Sequence, residues 1–189
     1  TFSGDDLVFG GEGNDTIIVG QGDDEIHGGD GNDIIDGGDG LDLVVQEGLL
    51  SEWTIVEDVN SSGYKLIKGD EIDVIIDVEI LQFDDNSVQT SALEASLEML
   101  QDFDDLQPVY VNENINVETI VVDIDPPTSD VQGLIYSLIG DSAAHLNIDG
   151  DDGEIRFKIP PDYETMATYD FEAVVQSGVI GKSIFGTIH

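Results

Sequence analysis

Aspartate returns every nine residues at the start of this chain: Asp6, Asp15, Asp24, Asp33 and Asp42. Two positions before each stands a glycine (Gly4, Gly13, Gly22, Gly31, Gly40), and two after each a β-branched apolar residue (Val8, Ile17, Ile26, Ile35, Val44). Evenly spaced carboxylates among glycines, with no lysine or arginine in residues 1–45, offer only hard, anionic oxygen. That donor set suits Ca²⁺, which takes about six to eight oxygens at roughly 2.3–2.6 Å. Without a cation the same residues oppose folding, since two carboxylates about 4 Å apart repel by about 4 kcal/mol at an effective dielectric near 20. Catalytic chemistry lacks its residues. There is no cysteine, the histidines are only His27, His145 and His189, and neither H-E-x-x-H, G-x-S-x-G nor a phosphate loop occurs. Paired acids of the kind glycosidases use read better here as metal ligands or solvated faces, so no enzyme is expected in this chain.

The elements that must position these aspartates follow from the nine-residue period. Glycine also holds place one (Gly10, Gly28, Gly37) and place two (Gly11, Gly20, Gly29, Gly38). Glycines at places one, two and four permit φ > 0 and a tight six-residue turn. The other three residues then form a short strand whose eighth-place side chain is buried between two facing sheets. Each nonapeptide is half a coil, so repeat n stacks on repeat n+2. A flexible glycine–aspartate linker has no reason to hold such a register.

Composition agrees. Among 189 residues, 42 acidic side chains face 5 basic ones, for a net charge of -37, which excludes nucleic acid and anionic membrane surfaces as partners. Yet 40% of the residues are hydrophobic, in patterned runs such as 74–76, so the chain should fold with its charge offset by cations. No apolar run is long enough for membrane insertion. The chain starts at Thr1 without an initiator Met or a signal peptide, and it is expected to be an excised piece whose partners include neighbouring domains of its parent.

The pattern G-G-x-G-x-D-x-U-x resembles the calcium-binding nonapeptide of the repeats-in-toxin (RTX) family across residues 1–45. The resemblance implies a parallel β-roll in which carbonyls of places one and three plus the aspartate of one repeat meet carbonyls of places two and four plus the aspartate of the stacked repeat. The carbonyl ligands it implies come from Gly10, Val19, Gly28 and Gly37 at place one and Gly11, Gly20, Gly29 and Gly38 at place two. Glu12, Gln21, Asp30 and Asp39 supply place three, and Gly13, Gly22, Gly31 and Gly40 place four. The bridging pairs are Asp6 with Asp24, Asp15 with Asp33, and Asp24 with Asp42, for about three complete sites. Place five reads as variable.

From residue 46 to 90 the period changes to alternating β-rich runs, closing a solenoid end that needs a cap. This segment is similar to the one that follows the last nonapeptide in secreted RTX proteases and adhesins, roughly G-x-D-x-L-x-x-V-E-x-L-x-F. Asp73, Ile75, Val78, Glu79, Leu81 and Phe83 match it, with Glu71 where glycine is usual, and Trp53 is expected in the cap core. Ser91 to Glu94 reads as a capping box opening a linker helix over 91–107, with Leu93, Leu97 and Leu100 on one face.

Residues 108–189 read as all-β, and their ordered landmarks, VNEN (111–114), DIDPP (123–127), HLNIDGDDGEIRF (145–157), PPDYE (160–164) and YDFEAVV (169–175), are similar to a cadherin-like Greek-key β-sandwich. By that resemblance Glu113, Asp123, Asp125, Asp162 and Glu164 match a family calcium site. The expected whole is an all-β, calcium-binding structural module of a large secreted or cell-surface bacterial protein. Two alternatives stay open: an adhesion module gripping surface carbohydrate or protein, and the non-catalytic end of a secreted RTX protease or lipase.

Overall fold

The computed structural model describes residues 2–58, 61–93, 100, 103, 106–124, 134–140, 144–162, 164 and 166–189. The chain divides into two compact units, residues 1–99 with 178–181 and residues 100–177 with 182–189. Among the described residues no helix is long and apolar enough to cross a membrane.

The first unit begins with strands laid down once per nonapeptide: β1 (Phe2–Ser3), β2 (Leu7–Glu12), β3 (Thr16–Gln21), β4 (Glu25–Asp30), β5 (Ile34–Asp39) and β6 (Leu43–Val45). Alternate strands pair in parallel, β2 with β4 and β4 with β6 in one sheet, β1 with β3 and β3 with β5 in the other. The pairing sets Val8 beside Ile26 and Ile26 beside Val44, and Ile17 beside Ile35. These eighth-place side chains form two inward columns. Ile26, Ile35 and Val44 are fully buried, and each stabilises by roughly 1.5–3 kcal/mol.

Strands β2 to β5 are six residues long where three were expected, because places one to three also join the parallel ladder: Gly11 pairs with Gly29 and Glu12 with Asp30. Only places four to six turn. Glycine at places two and four has positive φ, as at Gly11 (φ 107) and Gly13 (φ 103), whereas place one does not. Glycine there answers a different need. A Cβ on Gly10 would meet the Oδ2 of Asp15 at 2.8 Å and the carbonyl of Gly28. The third nonapeptide has Val19 at this place, and it is buried.

The two sheets continue past Val45. After the hairpin of β7 (Thr54–Asp58) and β8 (Gly63–Lys68), strand β9 (Glu71–Ile76) pairs in parallel with β5, setting Ile75 beside Ile35. Strand β10 (Ile80–Gln82) pairs in parallel with β6, setting Leu81 beside Val44, and β11 (Ser87–Gln89) closes that sheet antiparallel. The segment therefore adds two half-coils to the roll as well as covering it. Trp53 is buried, with its ring 6.2 Å from that of buried Phe83. Thr90–Ala92 is a 3-10 turn. The helix expected over 91–107 falls mostly outside the described residues, among which Leu93, Leu100 and Phe103 are buried.

In the second unit β12 (Val122–Asp123), β15 (Glu154–Phe157) and β14 (Leu146–Ile148) form one sheet in that order. The other runs β13 (Ile135–Ile139), β16 (Tyr169–Ser177), β17 (Ile180–Ile188), and Val109 bridges Ile188 in parallel. The strands thus divide as β12, β14 and β15 against β13, β16 and β17, as in Greek-key sandwiches whose second, fourth and fifth strands share one sheet and third, sixth and seventh the other. Ile124, Leu146, Ile155, Phe157, Phe171 and Val175 are buried.

Candidate metal centre

Stacking brings the expected aspartate pairs together at a separation of 18 residues. The Asp6 amide donates to Oδ1 of Asp24 at 2.7 Å, the Asp15 amide to Oδ1 of Asp33 at 2.9 Å, and the Asp24 amide to Oδ1 of Asp42 at 2.9 Å. The carboxylates of Asp24, Asp33 and Asp42 are thereby each fixed by one oxygen. The other oxygen is left over: Oδ2 of Asp15, Asp24, Asp33 and Asp42 is buried without a hydrogen-bond partner. Asp24 is 2% exposed, Asp33 1% and Asp42 0%. A buried anionic oxygen with no donor is costly unless a cation meets it.

The main chain around these oxygens offers carbonyls. Carbonyls of Gly11, Gly13, Gly20 and Gly22 face the stacked Gly29, Gly31, Gly38 and Gly40 so closely that a Cβ on any of those four would collide with them. The carbonyl of Gly28 faces back toward Gly10. Carbonyls of Gln21, Asp30 and Asp39 each accept one amide, from Gly4, Gly13 and Gly22, which leaves a lone pair on each. Among the described residues no three histidine or acidic side chains converge, so the donors on offer to a cation are carboxylate pairs and main-chain carbonyls. Hard oxygen donors and orphaned carboxylates fit Ca²⁺.

Place five is not free to vary. Oδ1 of Asp5 accepts the Asp23 amide at 3.0 Å, Oδ1 of Asp23 the Leu41 amide at 2.9 Å, and Oδ1 of Asn14 the Asn32 amide at 3.0 Å. Asn32 in turn accepts the Ile72 amide at 2.9 Å. This ladder runs opposite to the sixth-place one, and Asn and Asp serve it equally because both present an acceptor oxygen. Leu41 ends one ladder without being asked for an acceptor.

Both sixth-place ladders run on beyond the nonapeptides. Oδ1 of Asp73 accepts the Asp33 amide at 2.9 Å across 40 residues, and Oε2 of Glu79 accepts the Asp42 amide at 2.9 Å across 37. The second oxygen of Asp73 accepts Nε2 of Gln46 at 2.8 Å. Burial, with the charges of Asp33 and Glu71 adding to it, pushes the Asp73 carboxyl up to about 6 against its hydrogen bonds. Burial also raises Asp42, ahead of the repulsion from Asp24, Glu79 and Asp23. The interrupted spacing hid Asp73 and Glu79 as rungs; the signal available was the D-x-I-x-x-V-E-x-L-x-F pattern itself.

In the second unit Glu113, Asp123, Asp162 and Glu164 are exposed, and Oδ1 of Asp162 accepts the Glu164 amide at 3.1 Å in a local turn. Asp125 lies outside the described residues. Among the described residues these acids form no group of three or more.

A family model, the RTX calcium-binding nonapeptide repeat, matches residues 2–17 and 9–44. Among solved structures, the extracellular lipase LipA from Serratia marcescens is 26% identical with a TM-score of 0.38, covering 42% of this chain and 13% of its own. Human protocadherin-24 EC1-2 is 21% identical with a TM-score of 0.39, covering 43% and 38%. Protocadherin gammaB7 EC3-6 is 19% identical with a TM-score of 0.41, covering 45% and 21%. The chain thus spans well under half the length of these structures. Residues 2–44 carry RTX calcium-binding repeats, and Ca²⁺ is their ion.

Proposed function

We propose, from the calcium-binding nonapeptides of residues 2–44, that this chain is a structural module of a large secreted or cell-surface bacterial protein that folds and stiffens when it meets extracellular Ca²⁺. The observation that carries this reading is the set of four buried carboxylate oxygens, on Asp15, Asp24, Asp33 and Asp42, with no hydrogen-bond partner. The pairs Asp6/Asp24, Asp15/Asp33 and Asp24/Asp42 hold the ions, completed by carbonyls of places one to four. Calcium supplies the positive charge that this acidic stack lacks, so binding free energy becomes folding free energy. Asp24 and Asp42 each accept an amide from the preceding rung and expose a second oxygen to the following one, which links neighbouring sites into one cooperative stack. In a compartment poor in free Ca²⁺ the roll stays unfolded; outside the cell it closes. The second unit needs no such ion for its apolar core, and it serves as the next folded bead of an adhesin-like chain.

Titration of CaCl₂ into metal-free protein, followed by far-UV circular dichroism with MgCl₂ as control, tests the reading. A cooperative gain of β signal with Ca²⁺ and none with Mg²⁺ is expected. An unchanged spectrum would sink it.

A further inference from the structure

We propose that a further calcium site lies beyond the nonapeptides, made by Asp42, Glu79 and the main-chain carbonyl of Asp77. It rests on the reading of the repeats as calcium sites and extends them into a segment that the repeat pattern does not reach.

Strand register places Ile80 beside Leu43, so Glu79 stands over Asp42 as Asp42 stands over Asp24. The hydrogen bonds agree: the Asp42 amide donates to Glu79 Oε2 at 2.9 Å, as the Asp24 amide donates to Asp42 Oδ1 at 2.9 Å. Asp42 is fully buried, and its Oδ2 has no partner. That oxygen is aimed at the space beside Gly37, where a Cβ would meet it at 2.7 Å and would also meet the carbonyl of Asp77. The surroundings repeat those of Gly10, with Asp15 Oδ2 at 2.8 Å and the carbonyl of Gly28. Asp77 therefore presents its carbonyl where a first-place glycine presents it in the repeats.

The local chain explains how this is done without a G-G-x-G turn. Asp77 follows β9 directly and takes φ 46, a left-handed conformation that aspartate tolerates better than most residues. Only Val78 separates it from Glu79, and glutamate, longer by one methylene, reaches the rung that aspartate reaches from a full turn. Thr90 fixes the segment from outside, its amide donating to the Glu79 carbonyl at 3.0 Å and its Oγ1 to the Val78 carbonyl at 2.9 Å.

The other ladder ends differently. Asp73 has its second oxygen taken by Gln46, and the three atoms nearest a Cβ on Gly28 all belong to Asp33 and Ile35. Among the described residues no carbonyl comes as near a Cβ on Gly28 as that of Asp77 comes to one on Gly37. The Asp73 stack ends with its last carboxylate on a side-chain amide, although Asp33 Oδ2 keeps no partner; the Glu79 stack ends on a metal.

Native mass spectrometry of the full chain at saturating CaCl₂ counts the ions. Glu79→Gln keeps an oxygen for the Asp42 amide and should carry one ion fewer than the wild type. Asp42→Asn, which keeps an oxygen for the Asp24 amide, should carry two fewer, because Asp42 serves both the Asp24 and the Glu79 sites. A wild-type count in Glu79→Gln, or a loss of only one ion in Asp42→Asn, overturns the site while leaving the repeats intact. A wild-type protein that binds no calcium at all instead overturns the reading of the repeats.

Discussion

The two units of this chain solve the problem of a core in opposite ways. In the second, side chains such as Phe157, Tyr169 and Phe171 are buried, and the Phe157 and Tyr169 rings meet edge to face at 4.9 Å. In the first, the roll buries little more than the eighth-place side chain of each nonapeptide, with Val19 added in one, and the buried charges found among the described residues are all there: Asp24, Asp33, Asp42, Asp58 and Asp73. Apolar burial stabilises a fold whatever the solvent holds. Buried carboxylates stabilise it only when a cation is present, and oppose it otherwise. Two stretches of one chain therefore differ in what switches them on.

The sharpest break of that comparison pairs one substitution from each unit. Phe157→Ala should cost about 3–5 kcal/mol through the cavity it leaves, with or without calcium, and leave the calcium midpoint of the roll unchanged. Asp24→Ala should do the reverse. It removes the carboxylate shared by two sites, so the calcium midpoint should rise by at least the ~10–100-fold that losing a residue behind the ligands costs a metal site. Asp6→Ala touches one site and should shift it less. Calcium titrations and thermal melts of the three variants decide this, and an Asp6→Ala loss equal to that of Asp24→Ala would contradict the stacking of shared sites.

What could be read in advance follows the same division. Half-coils, the n on n+2 stacking and the inward eighth place were legible because a nine-residue period writes them directly into Val8, Ile17, Ile26, Ile35 and Val44. The ladder at place five was not, since Asp5, Asn14, Asp23 and Asn32 differ in charge while offering the same acceptor oxygen. Strand through places one to three was hidden by glycine, a poor strand former by propensity, which the stacked carbonyls nevertheless require. The rungs at Asp73 and Glu79 were masked by the hairpin inserted between them and the repeats, which breaks the spacing from 18 to 40 and 37. In the second unit alternation made only the all-β class legible and the sandwich came from resemblance, while which acids approach one another depends on loops that carry no period.

A finer test asks whether the roll is held by its stack or by each turn alone. Gly11 and Gly29 occupy the same place of their repeats, with φ 107 and 103. A Cβ on Gly11 meets nothing within 4 Å, whereas one on Gly29 runs into the carbonyl of Gly11. Gly11→Ala should cost the backbone strain alone, about 1–2 kcal/mol. Gly29→Ala adds a collision with main chain, on the order of 1–3 kcal/mol more. Equal losses, measured as denaturant midpoints in saturating calcium, would mean that the strands do not stack as closely as the ladder requires.

The smallest expected effect is the most exacting for the register. Asp36 is a carboxylate in the same strand as buried Ile35, three residues beyond Asp33, and by composition alone it is as good a ligand. Its place is the ninth, though, so along the strand its side chain points away from the one that Ile35 buries, out of the space between the sheets. Asp36→Ala should therefore leave the calcium midpoint within about twofold of wild type, the scale of a surface change remote from any special feature. It also removes one negative charge that attracts the ion from a distance, so any small shift should be toward weaker metal binding in low salt and vanish as salt screens it. A large loss of affinity would place the ninth residue, and not the sixth, at the ion, and every pairing of Asp6, Asp15, Asp24, Asp33 and Asp42 as ligands would have to be redrawn.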